Sequence, residues 1–166
     1  MKIYPTKEQL EQLFIYEPDT GLLKNRINRK ASKAGQIAGY IDNGGYYSVR
    51  IKNVVYKAHR LVMIMNDYTI NQGEEVDHID HCGTNNRLSN LRIVSHKTNL
   101  RNQKIRKTNT SGVMGISFDK KHNKWDAYIY NDKLIHLGLF TDKEDAINAR
   151  KRAEIVYDYS ANHGCK

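Results

Sequence analysis

Residues 103–111 read Gln-Lys-Ile-Arg-Lys-Thr-Asn-Thr-Ser, polar and basic with no apolar period. Such a stretch offers no face to bury, so it reads as a linker and divides the chain into two parts that must each build a core. Neither part is large, since the whole chain has 166 residues. Only 39% of them are hydrophobic and mean hydropathy is -0.72, which fits modest cores under a polar surface better than one deep core.

On the N-terminal side, Thr6 and Gln9 form a capping-box pattern. Leu10, Leu13 and Phe14 then share one face, which predicts a short helix over 7–15. Turns are expected at Asp19-Thr20-Gly21 and at Asn43-Gly44-Gly45. Tyr47, Val49 and Ile51 alternate with Ser48, Arg50 and Lys52, the period of a strand, and a turn at Lys52-Asn53 leads into a second strand over 54–57. Ala58, Leu61, Val62 and Met65 have the spacing of an amphipathic helix. Beyond the linker three short strands are expected, around Ile116 and Phe118, then Trp125, Ala127 and Ile129, then Ile135 and Leu137, with a hairpin turn at Asn131-Asp132. Thr141 and Glu144 form a second capping-box pattern. The helix it opens carries a small-residue stripe, Ala146, Ala149, Ala153 and Val156, suited to close packing on a sheet.

The net charge is +9. A surplus of this size points to a polyanionic partner, with nucleic acid first. It is unevenly spread: residues 1–108 hold 18 of the 27 Lys and Arg and 10 of the 18 acids. Two basic runs contain no acid, one through Lys24, Arg26, Arg29, Lys30 and Lys33, the other through Lys97, Arg101, Lys104, Arg106 and Lys107. Phosphate contact is therefore expected mainly from the first two-thirds of the chain. Cys82 and Cys165 stand far apart and in no pair motif, so neither a disulfide framework nor a cysteine zinc site is expected. Nothing resembles a signal peptide or a membrane span, and a reducing, cytoplasmic setting is the expectation.

The chemistry concentrates in Val76-Asp77-His78-Ile79-Asp80, Asn85-Asn86-Arg87-Leu88-Ser89-Asn90-Leu91-Arg92 and His96-Lys97-Thr98-Asn99. Phosphodiester hydrolysis needs a base for water and a hard cation for the phosphate and the leaving oxygen. Histidine is the natural base near neutral pH, and carboxylate and amide oxygens are natural magnesium ligands. Asp77 next to His78 provides one of each. Neighbours on a strand point to opposite faces, so the two act together only at a strand end or in irregular backbone. Asn99 follows His78 by 21 residues, a separation that suits a hairpin followed by a helix bearing a second ligand.

Residues 59–102, from His59-Arg60-Leu61-Val62 through Asp77-His78-Ile79-Asp80, Asn85-Asn86-Arg87, Asn90-Leu91 and Asn99, resemble the HNH endonucleases of phages and mobile introns. The resemblance implies the ββα-metal, or His-Me finger, fold. It implies His78 as general base and Asn90 as the central residue that holds the loop and orients that base. It places Asn99 in the third position and has it bind, with Asp77, one divalent ion, magnesium or manganese. His96 fits the third position less well, and Asp80 shapes the loop.

Residues 115–157, with Gly115-Ile116-Ser117-Phe118, Lys124-Trp125-Asp126-Ala127 and His136-Leu137-Gly138-Leu139-Phe140, resemble the APETALA-type, or ethylene-response-factor, DNA-binding domain. That resemblance implies a three-stranded sheet laid in the major groove. By alternation its exposed face is Ser117, Asp126, Tyr128, Tyr130, Leu134 and His136, and its buried face includes Phe118 and Trp125. The arginines that read guanine in the plant domains are missing, so their base preference does not transfer.

The expectation is an α+β chain: a leader over 1–58, an HNH part over 59–102, the linker, and a DNA-binding part over 112–166. It is a metal-dependent, monomeric endonuclease, homing in type, that nicks double-stranded DNA, with no membrane or protein partner. Arg101, Lys104, Arg106, Lys107, Ser117, Tyr128, Tyr130 and His136 are its expected DNA contacts. The alternative is a DNA-binding regulator on an inactive HNH scaffold, and the intact Asp77, His78, Asn90 and Asn99 set argues against it.

Overall fold

The computed structural model describes residues 3–29 and 32–165; Lys30, counted in the first basic run, lies outside them. The chain is α+β and divides into two compact units, with the boundary between His96 and Lys97.

In the first unit, helix α1 (Lys7–Leu13) opens on the expected capping box: Gln9 N–H donates to Thr6 Oγ1 and Thr6 N–H to Gln9 Oε1. The helix ends at Leu13, short of the expected 15. Phe14 is extended, and Phe14–Glu17 becomes strand β1, paired antiparallel with β2 (Leu22–Asn25). Aromatic and β-branched residues at Phe14, Ile15 and Tyr16 favour that ladder over a further helical turn. A three-stranded sheet follows, β3 (Tyr40–Ile41), β4 (Tyr47–Ile51) and β5 (Val54–Lys57), with β4 central. Lys52, at φ 53°, makes the tight β4–β5 turn. Helix α2 (Ala58–Met65) buries its expected stripe and also His59 and Met63. Strands β6 (Glu74–His78) and β7 (Leu91–Ser95) then pair antiparallel, joined by a loop that ends in a 3-10 turn over Leu88–Asn90.

One core runs through all of this: Leu10, Phe14, Leu23, Val49, Leu61, Val62, Val76 and Leu91 belong to a single buried cluster. The leader is thus part of the body that carries β6 and β7. Its β1–β2 turn lies against the β6–β7 loop, where buried Gly21 adopts φ +75°. A Cβ there would lie 2.5 Å from Arg87 N and 2.7 Å from Asn86 C.

Helix α3 (His96–Leu100) begins at the boundary. The second unit holds β8 (Ile116–Asp119), β9 (Lys124–Asn131) and β10 (Lys133–Phe140), ordered β10-β9-β8, and helix α4 (Lys143–Val156). Its core is small: Ile116, Ala127 and Ala146, with Trp125, Leu137 and Phe140 packed around them. Phe118, expected inside, is 44% exposed. It sits near the end of the edge strand and meets Trp125 edge-on, outside that cluster. Helix α4 is capped by Asp142, whose carboxylate accepts from Glu144 N–H, and not by the expected Thr141 box. Val156 is exposed, while Arg150 takes a buried place on the helix, donating to Tyr128 O and Glu154. Residues 103–111, expected as a linker, lie within this unit. They are bonded to the C-terminal segment by Gly164 N–H to Gln103 O and Ile105 N–H to Cys165 O.

Gly21→Ala should lower the thermal unfolding midpoint of the full chain. A left-handed alanine alone costs about 1–2 kcal/mol, and the contact with backbone at residues 86–87 adds to it. An unchanged midpoint would mean that the turn does not brace the loop.

Candidate active site

The β6–β7 ladder pairs Asp77 with Arg92 and ends at His78 opposite Leu91. His78 is therefore a strand terminus, the condition under which neighbouring side chains can serve one site. Both are buried, at 7% and 5% exposure. Asp77 is held across the ladder by Arg92, whose Nε donates to Oδ2 at 2.9 Å. His78 Nε2 lies 2.9 Å from Oδ1 of Asn86, which is itself buried. The tautomer that donates from Nε2 places the lone pair on Nδ1, the nitrogen a base would use.

Past His78 the ladder is replaced by side-chain bonds. Asn90 Oδ1 accepts from Asp80 N–H, and Asn90 Nδ2 donates to Asp80 Oδ1 and to Asn85 O. Ile79 N–H donates to Asn90 O. Asp80 also accepts from Asn85 Nδ2 and Cys82 N–H. Burial pushes its carboxyl up, yet the bonds from Asn85, Cys82 and Asn90 outweigh this and hold it below the ordinary aspartate value. Asn90 thus closes the loop, while the carboxamide on the His78 ring belongs to Asn86. Asn86 stands in the Asn85-Asn86-Arg87 motif, but nothing in its spacing distinguished it from its neighbours.

The N-terminal hairpins wall this loop. Tyr16 Oη donates to Asn86 O and accepts from Leu88 N–H, and Arg87 Nε donates to Asp19 O. From the β3–β4 side, Tyr46 lies 5.6 Å from the His78 ring and 5.7 Å from that of His59, which is 4.9 Å from His78. His59 was visible only as part of the His59-Arg60-Leu61-Val62 motif, and Tyr16 and Tyr46 carried no local signal.

Asn99 stands half-buried on α3, beyond the boundary between the units. His96 is exposed and pairs through Nδ1 with Glu75. Among the described residues no three His, Cys, Asp or Glu side chains group as a metal cage. In the first unit the candidate donor is the Asp77 carboxylate, a hard oxygen of the kind a divalent ion takes while it keeps several waters.

In the second unit Lys104, Arg106 and Lys107 are exposed. Arg101 is engaged, donating to Asn131 Oδ1 and lying over the Tyr159 ring. On the sheet, Ser117, Tyr130 and His136 are exposed and Tyr128 is half-buried. His136 pairs with Asp126 at 2.8 Å, so this face carries an acid beside its histidine.

Residues 56–101 match the HNH endonuclease family, so the loop, both strands of the ladder and α2 lie in an HNH domain, a domain of DNA-cutting enzymes. The match ends at Arg101 and does not extend over the sheet and α4 of the second unit. Over 56 residues the chain is 43% identical to Protein 3.8 of Escherichia phage T7; the aligned part covers 34% of this chain and 46% of that protein, less than half its length. No solved structure matches. No helix among the described residues is long and apolar enough to cross a membrane.

Burial pushes the His59 imidazole down to about 3, with the neighbouring charges of His78, Arg60 and Lys57 adding to the effect. In the unfolded chain it titrates near its ordinary value, about 6.5. Between those values the unfolded chain holds a proton that the folded one refuses, so stability is full above the upper value and falls as pH drops toward the lower. Unfolding followed from about pH 7 to about pH 4 should show a shallower acid loss for His59→Phe than for the parent. Identical slopes would count against a buried neutral His59.

Proposed function

We propose that the protein is a metal-dependent endonuclease that nicks double-stranded DNA, homing in type, and that it acts in the cytoplasm of a bacterial host. The observation that carries this reading is the buried Asp77-His78 pair at the end of β6, inside the family-matched region.

His78 takes a proton from water at Nδ1 while Asn86 holds Nε2. The water oxygen bonds to phosphorus, one P–O bond of the phosphodiester breaks, the leaving oxygen takes a proton from solvent water to end as a hydroxyl, and His78 returns its proton to solvent. Asp77 and Asn99 would hold the divalent ion. When bound, the ion neutralises charge on the phosphate and the leaving oxygen. Arg92 keeps the Asp77 carboxylate in place. Asn90 keeps the loop closed behind the base.

The second unit adds binding. Its three-stranded sheet with one helix supports an APETALA-type DNA-binding module, presenting Ser117, Tyr128, Tyr130 and His136 to the duplex. Lys104, Arg106 and Lys107 contact phosphates, joined by Arg101. One Asp77-His78-Asn99 set per chain attacks one strand at a time, which supports a monomer that nicks.

The test is cleavage of supercoiled plasmid and phage DNA with magnesium or manganese. Open circles should appear first, and a chelator should abolish them while leaving binding. His78→Ala should cut about 10²–10⁴-fold more slowly with DNA affinity nearly unchanged. Wild-type rates in that variant would refute the assignment of the base, and binding without cutting by the parent would favour a regulator. Separately, neutralising Lys104, Arg106 and Lys107 together should weaken binding to all sequences and flatten its salt dependence, by a slope of about 0.9 for each phosphate no longer neutralised. An unchanged salt slope would remove these residues from the interface.

A further inference from the structure

Three rings meet at the base. His59 and His78 stand perpendicular, at 89°, with centroids 4.9 Å apart. Tyr46 touches both. His59 is 7% exposed, and its Nδ1 is buried without a hydrogen-bond partner. A nitrogen left so costs free energy that an apolar side chain at the same place would not. Packing the core alone therefore does not account for a histidine at this position, which stands edge-on to His78.

Tyr46 is set with equal care. Asp42 organises its loop, accepting from Gly44 N–H and Tyr46 N–H through Oδ1, and from Ser48 Oγ and Lys57 Nζ through Oδ2. The Lys57 ammonium lies 4.9 Å over the Tyr46 ring. On the other side, a Cβ on Gly83 would fall 2.8 Å from a Tyr46 ring carbon and 2.6 Å from Gly45 O. The β6–β7 loop thus presses on Tyr46, and Tyr46 in turn on the two imidazoles.

We propose that His59 and Tyr46 are positioning residues which together wall one side of the His78 ring and hold the base in the orientation that meets the attacking water. Asn86 holds the ring at Nε2. The imidazole and the phenol resist its rotation toward them. The inference rests on the reading of His78 as the base.

The test uses the full chain with plasmid DNA and magnesium, measuring the single-turnover cleavage rate at saturating protein, the DNA dissociation constant and the thermal midpoint. Tyr46 reaches the surface, so Tyr46→Ala removes part of this wall where truncation disturbs the core least. The cleavage rate should fall about 10–100-fold, the scale for a misplaced reacting group, with dissociation constant and midpoint nearly unchanged. Tyr46→Phe, which keeps the ring, should restore most of the rate. His59→Ala should lower the rate by a similar factor from the buried side, and combining it with Tyr46→Ala should cost less than the product of the two. Wild-type cleavage by Tyr46→Ala would overturn the proposal, and so would a loss that follows the dissociation constant or the midpoint, or one that Tyr46→Phe fails to restore. If His78→Ala itself cuts at the parent rate, the assignment of the base fails first; if His78→Ala is inactive and Tyr46→Ala is not, only the positioning role fails.

Discussion

Strand β6 stops at His78, and the geometry of the candidate site depends on that stop. While a ladder lasts, its pleat sends neighbouring side chains to opposite faces. Here pairing ends with His78 opposite Leu91, and the chain turns away into the 79–90 loop. The backbone groups released there need new partners, because an unpaired N–H or C=O in a buried place is costly. Asn90 supplies them with one carboxamide and one carbonyl, to Asp80, Asn85 and Ile79. The loop behind the proposed base is therefore as firmly bonded as a strand while free of the strand's alternation.

The hairpins that precede α2 are the walls of this site. Tyr16 and the Glu17–Gly21 turn hold the loop from one side, and Tyr46, ordered by Asp42, lies against Gly83 from another. Buried polar residues in this unit, Asn25, Ser48, Asn86 and Asn90 among them, follow from the same need for partners. A small core that must carry an irregular loop satisfies that loop with side-chain amides and hydroxyls. The apolar cluster from Leu10 to Leu91 gives those bonds a rigid base.

The second unit solves a different problem with less apolar material. Three strands and α4 enclose few fully buried apolar side chains, and Arg150 stands among them with its guanidinium paired to a backbone carbonyl and a carboxylate. A buried arginine so fully bonded acts as a brace between helix and sheet. The opposite sheet face keeps Ser117, Tyr130, Leu134 and His136 exposed, a surface of rings and hydroxyls with little net charge. That composition suits the proposed contacts to a duplex.

Period and turn chemistry were enough to read β4, β5, α2 and the β9–β10 hairpin from the sequence, because each is a local pattern with its stop signal beside it. The α+β class and the HNH stretch were legible for a related reason: Asp77-His78, Asn85-Asn86 and Asn90 are an ordered set close together along the chain. Where α1 gives way to β1 was not legible, since Phe14 fits either face until β2 offers it a partner. Nor was Phe118, whose place depends on how far the core reaches along an edge strand. The largest omissions are Tyr16, Tyr46 and the particular roles of Asn86 and His59. Each acts on residues distant in sequence, Tyr16 on Asn86 across 70 positions, for example. Local sequence encodes which side chains have the chemistry; only the shared core decides which of them stand within a hydrogen bond or a ring contact of His78, because that proximity is produced by packing and not by spacing along the chain.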